Sequence, residues 1–568
     1  LLLSSGLHVD QAKENGATPL IVAAHNGHDS VVSTLISAGA SVDQAAKDGW
    51  TPLIVAAEYG HDSVVSTLIS AGASVDQAKE SGATPLYIAA QNGHDSVVST
   101  LISAGASVDQ AKESGATPLY IAAHNGHDSV VSTLISAGAS VDQAEEDGWT
   151  PLYIAAQNGH DSVVSTLISA GASVDQAEEN GWTPLIVAAE KGHDSVVSTL
   201  ISAGGSVDQA AKDGWTPLLI AAHNGHDSVV SALISAGASV DQAEESGATP
   251  LYIAAENGHD SVVSTLISAG ASVDQAEESG GTPLYIAAEN GHDSVVSALI
   301  SAGASVDQAE EDGWTPLYIA AQNGHASVVS TLISAGASVD QAEENGWTPL
   351  YIAAEKGHAS VVSALISAGA SVDQAEENGW TPLLIAAHNG HDSVVSALIS
   401  AGASVDQAAK DGWTPLYIAA QKGHASVVST LISAGASVDQ AAKDGWTPLY
   451  IAAQKGHASV VSTLISAGAS VDQAAKENGA TPLYIAAQNG HASVVSTLIS
   501  AGASVDQAEE DGFTPLLTAV GHGHERVAKL LLLHDGDKRH VTKLGSNAVW
   551  LAAHHGSASL VRLFIDQG

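Results

Sequence analysis

The sequence predicts an all-α fold, a solenoid of stacked helix-turn-helix repeats with short projecting β-turn or hairpin loops. A 33-residue period runs through almost all of the 568 residues, and such a period indicates a repeat architecture instead of several globular domains. Each regular copy has a Thr-Pro pair followed by two apolar stretches at helical spacing. Because helices of about two turns are too short to be stable alone, each pair must pack on its neighbours.

Residues 312–344 show how one repeat is built. Thr315 precedes a proline, which predicts a first helix with the Thr hydroxyl as N-cap and Pro at the first helical position. Gly324 ends this helix. Ser327 is the predicted N-cap of the second helix, whose apolar residues form one stripe, and Gly336 stands where a left-handed glycine would end it. The polar stretch before each Thr-Pro pair, such as residues 305–313, is the projecting loop, which we call the finger.

These features resemble the ankyrin repeat. The residues that carry the resemblance in this copy are Gly313, Thr315, Pro316, Leu317, Ala320, Ala321, Gly324, His325, Val328, Val329, Leu332, Ile333, Gly336 and Ala337. One departure is present, because the His that usually follows Thr-Pro-Leu in the family is Tyr in ten copies and Ile or Leu in six. The hydrogen bond that the family's His makes between repeats therefore cannot be carried over.

The repeat register predicts three segments. Residues 1–14 match the C-terminal half of a truncated repeat, and residues 15–510 are regular 33-residue repeats. Residues 511–568 are divergent repeats in which Thr-Pro is finally lost, and we expect a cap or a junction with another domain there. The chain contains no methionine, so we expect a monomeric array that is a fragment of a longer chain.

Composition limits the classes of partner. The formal net charge is −44, which disfavours nucleic acid and anionic membranes because phosphate binding needs clustered Lys and Arg. Basic proteins are the natural partners, although the acidic residues could also serve solubility alone. The absence of cysteine fits an intracellular, cytoplasmic protein, and no apolar run is long enough to insert in a membrane.

No catalytic, cofactor or metal site is predicted. The recurring His-Asp-Ser, as at His28, cannot form a triad because adjacent residues cannot hold imidazole between carboxylate and hydroxyl. Five copies replace its Asp by Ala, which indicates helix capping with an optional carboxylate. Histidines on neighbouring repeats are too far apart to share a zinc ion. Paired carboxylates such as Glu343 and Glu344 are expected on exposed loops, where nothing would prepare them for acid catalysis. We therefore predict no enzyme.

The copies differ from one another at a few positions around the finger and the end of the first helix. In residues 312–344 these include Asp312, Gln322 and Asn323, and the resemblance implies that they face the concave groove. Nine copies carry Trp after the finger glycine: Trp50, Trp149, Trp182, Trp215, Trp314, Trp347, Trp380, Trp413 and Trp446. A Trp surrounded by acidic residues suits a binding hot spot, but it could equally brace the next finger.

The predicted function is a protein–protein interaction scaffold or adaptor that binds a basic protein on an acidic, Trp-lined concave surface. The predicted partner-binding residues are the nine Trp with Asp312, Gln322 and Asn323. The alternative is a structural spacer or elastic element of a larger protein, without a ligand of its own.

The charge of the array predicts its response to salt. Like charges on repeats about 10 Å apart repel by roughly 0.4 kcal/mol in water, and salt screens this repulsion. We expect the melting temperature to rise between low and moderate salt, as measured by circular dichroism. A melting temperature that stays constant or falls would contradict this prediction.

Overall fold

The structure is a computed structural model that describes residues 8–566. It contains 34 α-helices, and this part of the chain has no β-strand. The helices come in pairs, one pair to a repeat, which confirms the predicted all-α fold of stacked helix pairs. The chain divides into two compact units, residues 1–278 and 279–568.

The first unit contains eight helix pairs. Its helices are α1 (Pro19–His25), α2 (Asp29–Ser37), α3 (Pro52–Glu58), α4 (Asp62–Ser70), α5 (Pro85–Gln91), α6 (Asp95–Ser103), α7 (Pro118–His124), α8 (Asp128–Ser136), α9 (Pro151–Gln157), α10 (Asp161–Ser169), α11 (Pro184–Lys191), α12 (Asp194–Ser202), α13 (Pro217–Asn224), α14 (Asp227–Ser235), α15 (Pro250–Glu256) and α16 (Asp260–Ser268).

The second unit contains nine helix pairs. Its helices are α17 (Pro283–Asn290), α18 (Asp293–Ser301), α19 (Pro316–Asn323), α20 (Ala326–Ser334), α21 (Pro349–Lys356), α22 (Ala359–Ser367), α23 (Pro382–Asn389), α24 (Asp392–Ser400), α25 (Pro415–Lys422), α26 (Ala425–Ser433), α27 (Pro448–Lys455), α28 (Ala458–Ser466), α29 (Pro482–Gln488), α30 (Ala492–Ser500), α31 (Pro515–Gly521), α32 (Glu525–Leu533), α33 (Ala548–His555) and α34 (Ala558–Asp566).

The first helix of each regular repeat begins as the sequence predicts. In α19, Thr315 is the N-cap and its hydroxyl accepts a hydrogen bond from Tyr318 N at 3.2 Å. The Thr side chain is buried, so the cap also satisfies a polar group inside the stack. Gly324 ends the helix with φ of 81°, a left-handed conformation that glycine adopts without steric cost. Both predicted ends of this helix are confirmed.

The predicted start of the second helix is wrong. The N-cap of α20 is His325 instead of Ser327, and its side chain makes no capping hydrogen bond. The His325 carbonyl already accepts a hydrogen bond from Val329 N at 2.9 Å, so Ser327 lies inside the first helical turn. The Asp of the His-Asp-Ser copies is the first helical residue, where a carboxylate favours the helix dipole. In α4 this residue, Asp62, also accepts a hydrogen bond from the Thr100 hydroxyl of the next repeat.

The histidine before the second helix joins consecutive repeats in most copies. His358 Nε2 lies 3.0 Å from the carbonyl oxygen of Gln322, in the last turn of the preceding first helix. The same ring rests on Gly324, where an added Cβ would lie 2.7 Å from His358 Nδ1. Equivalent bonds recur within each unit, for example from His61 to the carbonyl of His25 at 3.0 Å. The sequence pattern did not indicate this role, since the histidines were weighed there as triad members and as zinc ligands.

Two further contacts repeat along the stack. Asp307 Oδ1 accepts a hydrogen bond from Ser338 N at 2.9 Å, and the same spacing of 31 residues recurs through most copies. Within a finger, Glu310 N donates to the carbonyl of Trp314 at 3.1 Å, and Gly313 N donates back to the Glu310 carbonyl at 3.0 Å. Each finger is therefore a tight hairpin-like turn, as predicted, although it contains no strand.

The one-residue insertion near Lys476 is absorbed inside its finger. Gly479 N reaches back four residues to the Ala475 carbonyl at 3.0 Å, one residue further than the equivalent bond in other fingers. The histidine contact persists across the insertion, because His491 Nε2 lies 2.9 Å from the Gln454 carbonyl. The insertion therefore lengthens a turn and leaves the packing of the helices unchanged.

The terminal segments are described only in part. Of the predicted half-repeat at residues 1–14, residues 1–7 lie outside the described residues, while Asp10 accepts the expected hydrogen bond from Ser41 N at 3.1 Å. The divergent segment 511–568 keeps the helix pairs α31 to α34 but exposes large apolar side chains such as Leu533 and Trp550. Its role as a cap or junction stays a prediction.

The contact between His358 and Gly324 predicts non-additive stability effects. We expect His358→Ala to destabilise its two repeats by about 1–3 kcal/mol, because the Gln322 carbonyl loses its donor. Gly324→Ala should also destabilise them, through the clash with the ring and the positive φ. The double variant should cost less than the sum, since removing the ring removes the clash. Amide hydrogen exchange in α19–α22 measures these costs as local opening. Strictly additive costs would show that the ring does not press on this glycine.

Candidate partner-binding surface

The Trp that follows each finger glycine packs onto the first helix of its own repeat. The ring of Trp314 stacks on that of Tyr318, four residues on, with centroids 5.5 Å apart. The same stacking joins Trp149 to Tyr153 at 5.6 Å. Trp347 with Tyr351, Trp413 with Tyr417 and Trp446 with Tyr450 lie at 5.1, 5.9 and 5.2 Å. All nine Trp are half-buried, so none is the fully exposed side chain expected of a free loop.

The residue in the place of the Tyr decides which ring the Trp meets. Where that residue is Leu, as in α13 and α23, the Trp instead contacts the His at the end of the same helix. Trp215 lies 5.4 Å from His223 and Trp380 lies 5.5 Å from His388, both edge-to-face. In these seven repeats the finger Trp is therefore held against an aromatic residue of its own first helix, whereas Trp50 and Trp182 precede helices without one.

A cation occupies the outer face of Trp50. Lys79, on the next finger, places its Nζ 4.4 Å from the centre of this ring. In the following repeat Ala83 replaces the Trp, and the equivalent Lys112 lies over Tyr87 at 5.5 Å. Cations within about 6 Å of an aromatic face are attracted by its quadrupole. This surface therefore accommodates an ammonium group over its rings.

Carboxylates of the next repeat surround the tyrosines. Burial, and then the charges of Glu343 and Glu355, raise the pKa of Tyr318. Burial and the carboxylates of Glu178 and Glu190 do the same to the pKa of Tyr153. In both cases one Glu belongs to the next finger and the other to the end of the next first helix. We call the surface made by the finger Trp, the Tyr and these carboxylates the finger face.

One carboxylate of the finger face is buried, contrary to the sequence prediction. Glu343 is only 9% exposed, and its Oε1 accepts hydrogen bonds from Asn345 N and Trp347 N, both at 2.9 Å. Its Oε2 accepts from Asn345 Nδ2 at 3.0 Å. The expectation of two exposed acids holds for Glu344 alone, because the carboxylate of Glu343 folds back to stabilise its own turn.

The other predicted site residues lie in two places. Asp312 is exposed at the finger, two residues before Trp314. Gln322 is half-buried at the end of α19, where its main chain accepts the bond from His358. Asn323 is exposed, but its Nδ2 donates to the carbonyl of Glu289 in the preceding repeat at 2.9 Å. Asn323 thus has a structural contact that the sequence did not indicate.

Two site residues were missed. The Tyr after Thr-Pro-Leu was treated only as a departure from the family pattern, although Tyr318 stacks on Trp314. The signal was available, because Trp and Tyr are four residues apart at the start of a helix. Lys79 was missed because its partner Trp50 belongs to another repeat.

Between residues 8 and 566, no three His, Asp or Glu side chains group closely enough to hold a metal ion. Among the helices in the same part of the chain, none has the length and apolar character needed to cross a membrane.

Comparison with known proteins identifies the family. A model described as ankyrin repeats (3 copies) matches residues 1–79, 72–145, 138–211, 200–277, 269–343, 335–409, 401–475 and 471–540. The crystal structure of the human ASB11 ankyrin repeat domain is similar at 28% identity and a TM-score of 0.36, over 39% of this chain and 99% of that one. No curated protein sequence matches the chain. Since the family model covers nearly the whole sequence, the chain belongs to the ankyrin repeat family.

Proposed function

We propose that this chain is an interaction scaffold or adaptor that binds a basic protein partner on an acidic, Trp-lined concave surface. Ankyrin repeats generally mediate protein–protein interaction. The finer proposal rests on one observation, a ring pair with carboxylates of the next repeat beside it, as at Trp314, Tyr318 and Glu355. This arrangement recurs in other repeats, as at Trp149, Tyr153 and Glu190, so a long partner would gain avidity from several similar contacts.

Charge and chemistry favour a basic partner. The chain carries a formal net charge of −44, and acidic residues stand on most of its fingers. Aromatic faces next to carboxylates attract cations by two independent effects, the ring quadrupole and the opposite charge. Lys79 over Trp50 supports this, because a basic side chain of the protein itself already uses such a face.

A structural spacer is the competing function, and the ring contacts favour it. Trp314 and six other finger Trp pack on aromatic residues of their own repeats, which would stiffen the array without any ligand. The two functions predict different changes in affinity when the finger Trp residues are removed. A brace contributes to stability alone, whereas a hot spot contributes to affinity as well.

The first test changes Trp314, Trp347 and Trp380 together to Ala. Each change removes a ring contact at a half-buried position, so we expect a stability loss of about 1 kcal/mol per site. Affinity for a synthetic oligo-arginine peptide should fall by a few kcal/mol in total, since truncated hot spots each cost about 2 or more. Isothermal titration and a urea melt on the same protein measure both quantities. A lower unfolding free energy with an unchanged dissociation constant would show that the Trp residues only stabilise the fold, and would favour the spacer.

The matched control changes Ser334, Ser367 and Ser400 to Ala. These residues are exposed at the ends of α20, α22 and α24, the second helices of the same three repeats. Both affinity and stability should stay within about 0.5 kcal/mol of the parent protein. An equal loss of affinity in this control would show that the Trp variant weakens binding by disturbing the fold and not by removing the rings.

The second test neutralises exposed finger charges. Glu311, Glu344 and Glu377 are exposed, so changing them to Gln should leave stability nearly unchanged. Because exposed charges mainly steer association, we expect a several-fold slower on-rate for the oligo-arginine peptide and a weaker dependence on salt. Surface plasmon resonance at two salt concentrations measures both. An unchanged on-rate and salt dependence would place the basic partner elsewhere.

A further inference from the structure

We propose that the finger face of the second unit takes an extended, polyproline-type segment of the partner with a basic side chain at every third position. The inference rests on the proposed function and deepens it, because it specifies the conformation and spacing of the partner. It rests on two consecutive repeats of this unit, whose finger residues Trp314 and Trp347 stand 33 residues apart in sequence.

The repeats of Trp314 and Trp347 each have a notch between their own rings and the next repeat. Trp314 stacks on Tyr318, and a Cβ on Gly313 would lie 3.4 Å from Glu343 Cα, so the next finger packs beside this ring pair. Glu355, in the last turn of α21, acts by its charge on both Tyr318 and Tyr351. Its Oε2 is buried and lies 3.5 Å from Lys356 Nζ. A cation in the notch would therefore meet aromatic faces and the negative charge of Glu355.

The first unit shows how a cation sits at such a notch. Lys79 stands 29 residues after Trp50 and covers its ring at 4.4 Å. At the same offset from Trp314 and Trp347 the chain has Glu343 and Glu376 instead of Lys. These two notches lack the internal lysine and have a carboxylate in its place. They are thus suited to a basic side chain supplied by another protein.

The pitch of the stack selects the partner's conformation. The first helices α19, α21 and α23 pack directly on one another, and packed helices lie about 8–10 Å apart. A polyproline helix rises about 3.1 Å per residue with three residues per turn, so every third side chain returns to the same face after about 9.3 Å. In a β-strand, side chains on one face repeat at about 6.6 or 13 Å, and neither distance matches.

An α-helix could match the distance but fits the surface less well. Its residues seven apart lie on one face about 10.5 Å from each other. Grooves lined by aromatic rings are, however, the characteristic receptors of polyproline segments, whose preformed backbone loses little entropy on binding. The row of Trp on Tyr or His rings along α19 to α27 is such a lining. We therefore commit to the polyproline conformation.

The experiment compares peptides of equal charge on the full chain. The test peptide is five tandem copies of Arg-Pro-Pro. A second peptide has the same composition with its arginines moved to adjacent pairs, and a third is an Ala-rich helix with five arginines at every seventh position. A peptide of five Gln-Pro-Pro copies is the uncharged control. Fluorescence titration at one salt concentration gives the four dissociation constants.

We expect Arg-Pro-Pro to bind at least tenfold tighter than the rearranged and helical peptides, because its arginines reach both notches from a preformed backbone that loses little entropy on binding. Changing Trp314, Trp347 and Trp380 to Ala should reduce this preference to less than threefold. Equal affinities for the three basic peptides, or tighter binding of the helix, would overturn the spacing while leaving the basic-partner function standing. Failure of every basic peptide to exceed Gln-Pro-Pro would overturn both.

Discussion

In both units a histidine ring rests on the left-handed glycine of the preceding repeat and ties neighbouring helix pairs together. The helices are seven to nine residues long, below the length at which an isolated helix is stable in water. His358 compensates by donating to the Gln322 carbonyl and by covering Gly324, so one side chain joins two repeats at the end of a helix. A second inter-repeat bond runs from Ser338 N to Asp307 Oδ1 at 2.9 Å.

Features decided within one repeat could be predicted from the sequence. The Thr315 cap and the Gly324 ending depend on residues a few positions apart, so the sequence pattern alone identifies them. The predicted start of the second helix was wrong. Ser327 is a residue type that often caps helices, but the first hydrogen bond of the helix is accepted by the His325 carbonyl. Residue type shows that a side chain can cap a helix, and the backbone conformation decides whether it does.

Features that depend on the next repeat could not be predicted. The burial of Glu343, the cation over Trp50 and the role of His358 all depend on which residues one repeat places beside another. The candidate site was also only partly predicted: Trp314 and Asp312 were identified from their variation, whereas Tyr318 was missed although its spacing of four residues from Trp314 indicated the contact. Spacing along the chain gives the period of such contacts and does not give their geometry.

One position that varies between copies makes its structural contact through the main chain alone. The residue two before the helix-ending glycine is Gln322 in one repeat, Glu355 in the next and His388 in a third, yet each offers the same carbonyl to the next histidine. A main-chain acceptor is indifferent to its side chain, so variation there costs the stack little. The finger face can therefore change its charge and its rings repeat by repeat while the histidine contact stays fixed. This separation permits a binding surface to diversify on an invariant scaffold, and it also means that variation alone is no proof of selection for a ligand.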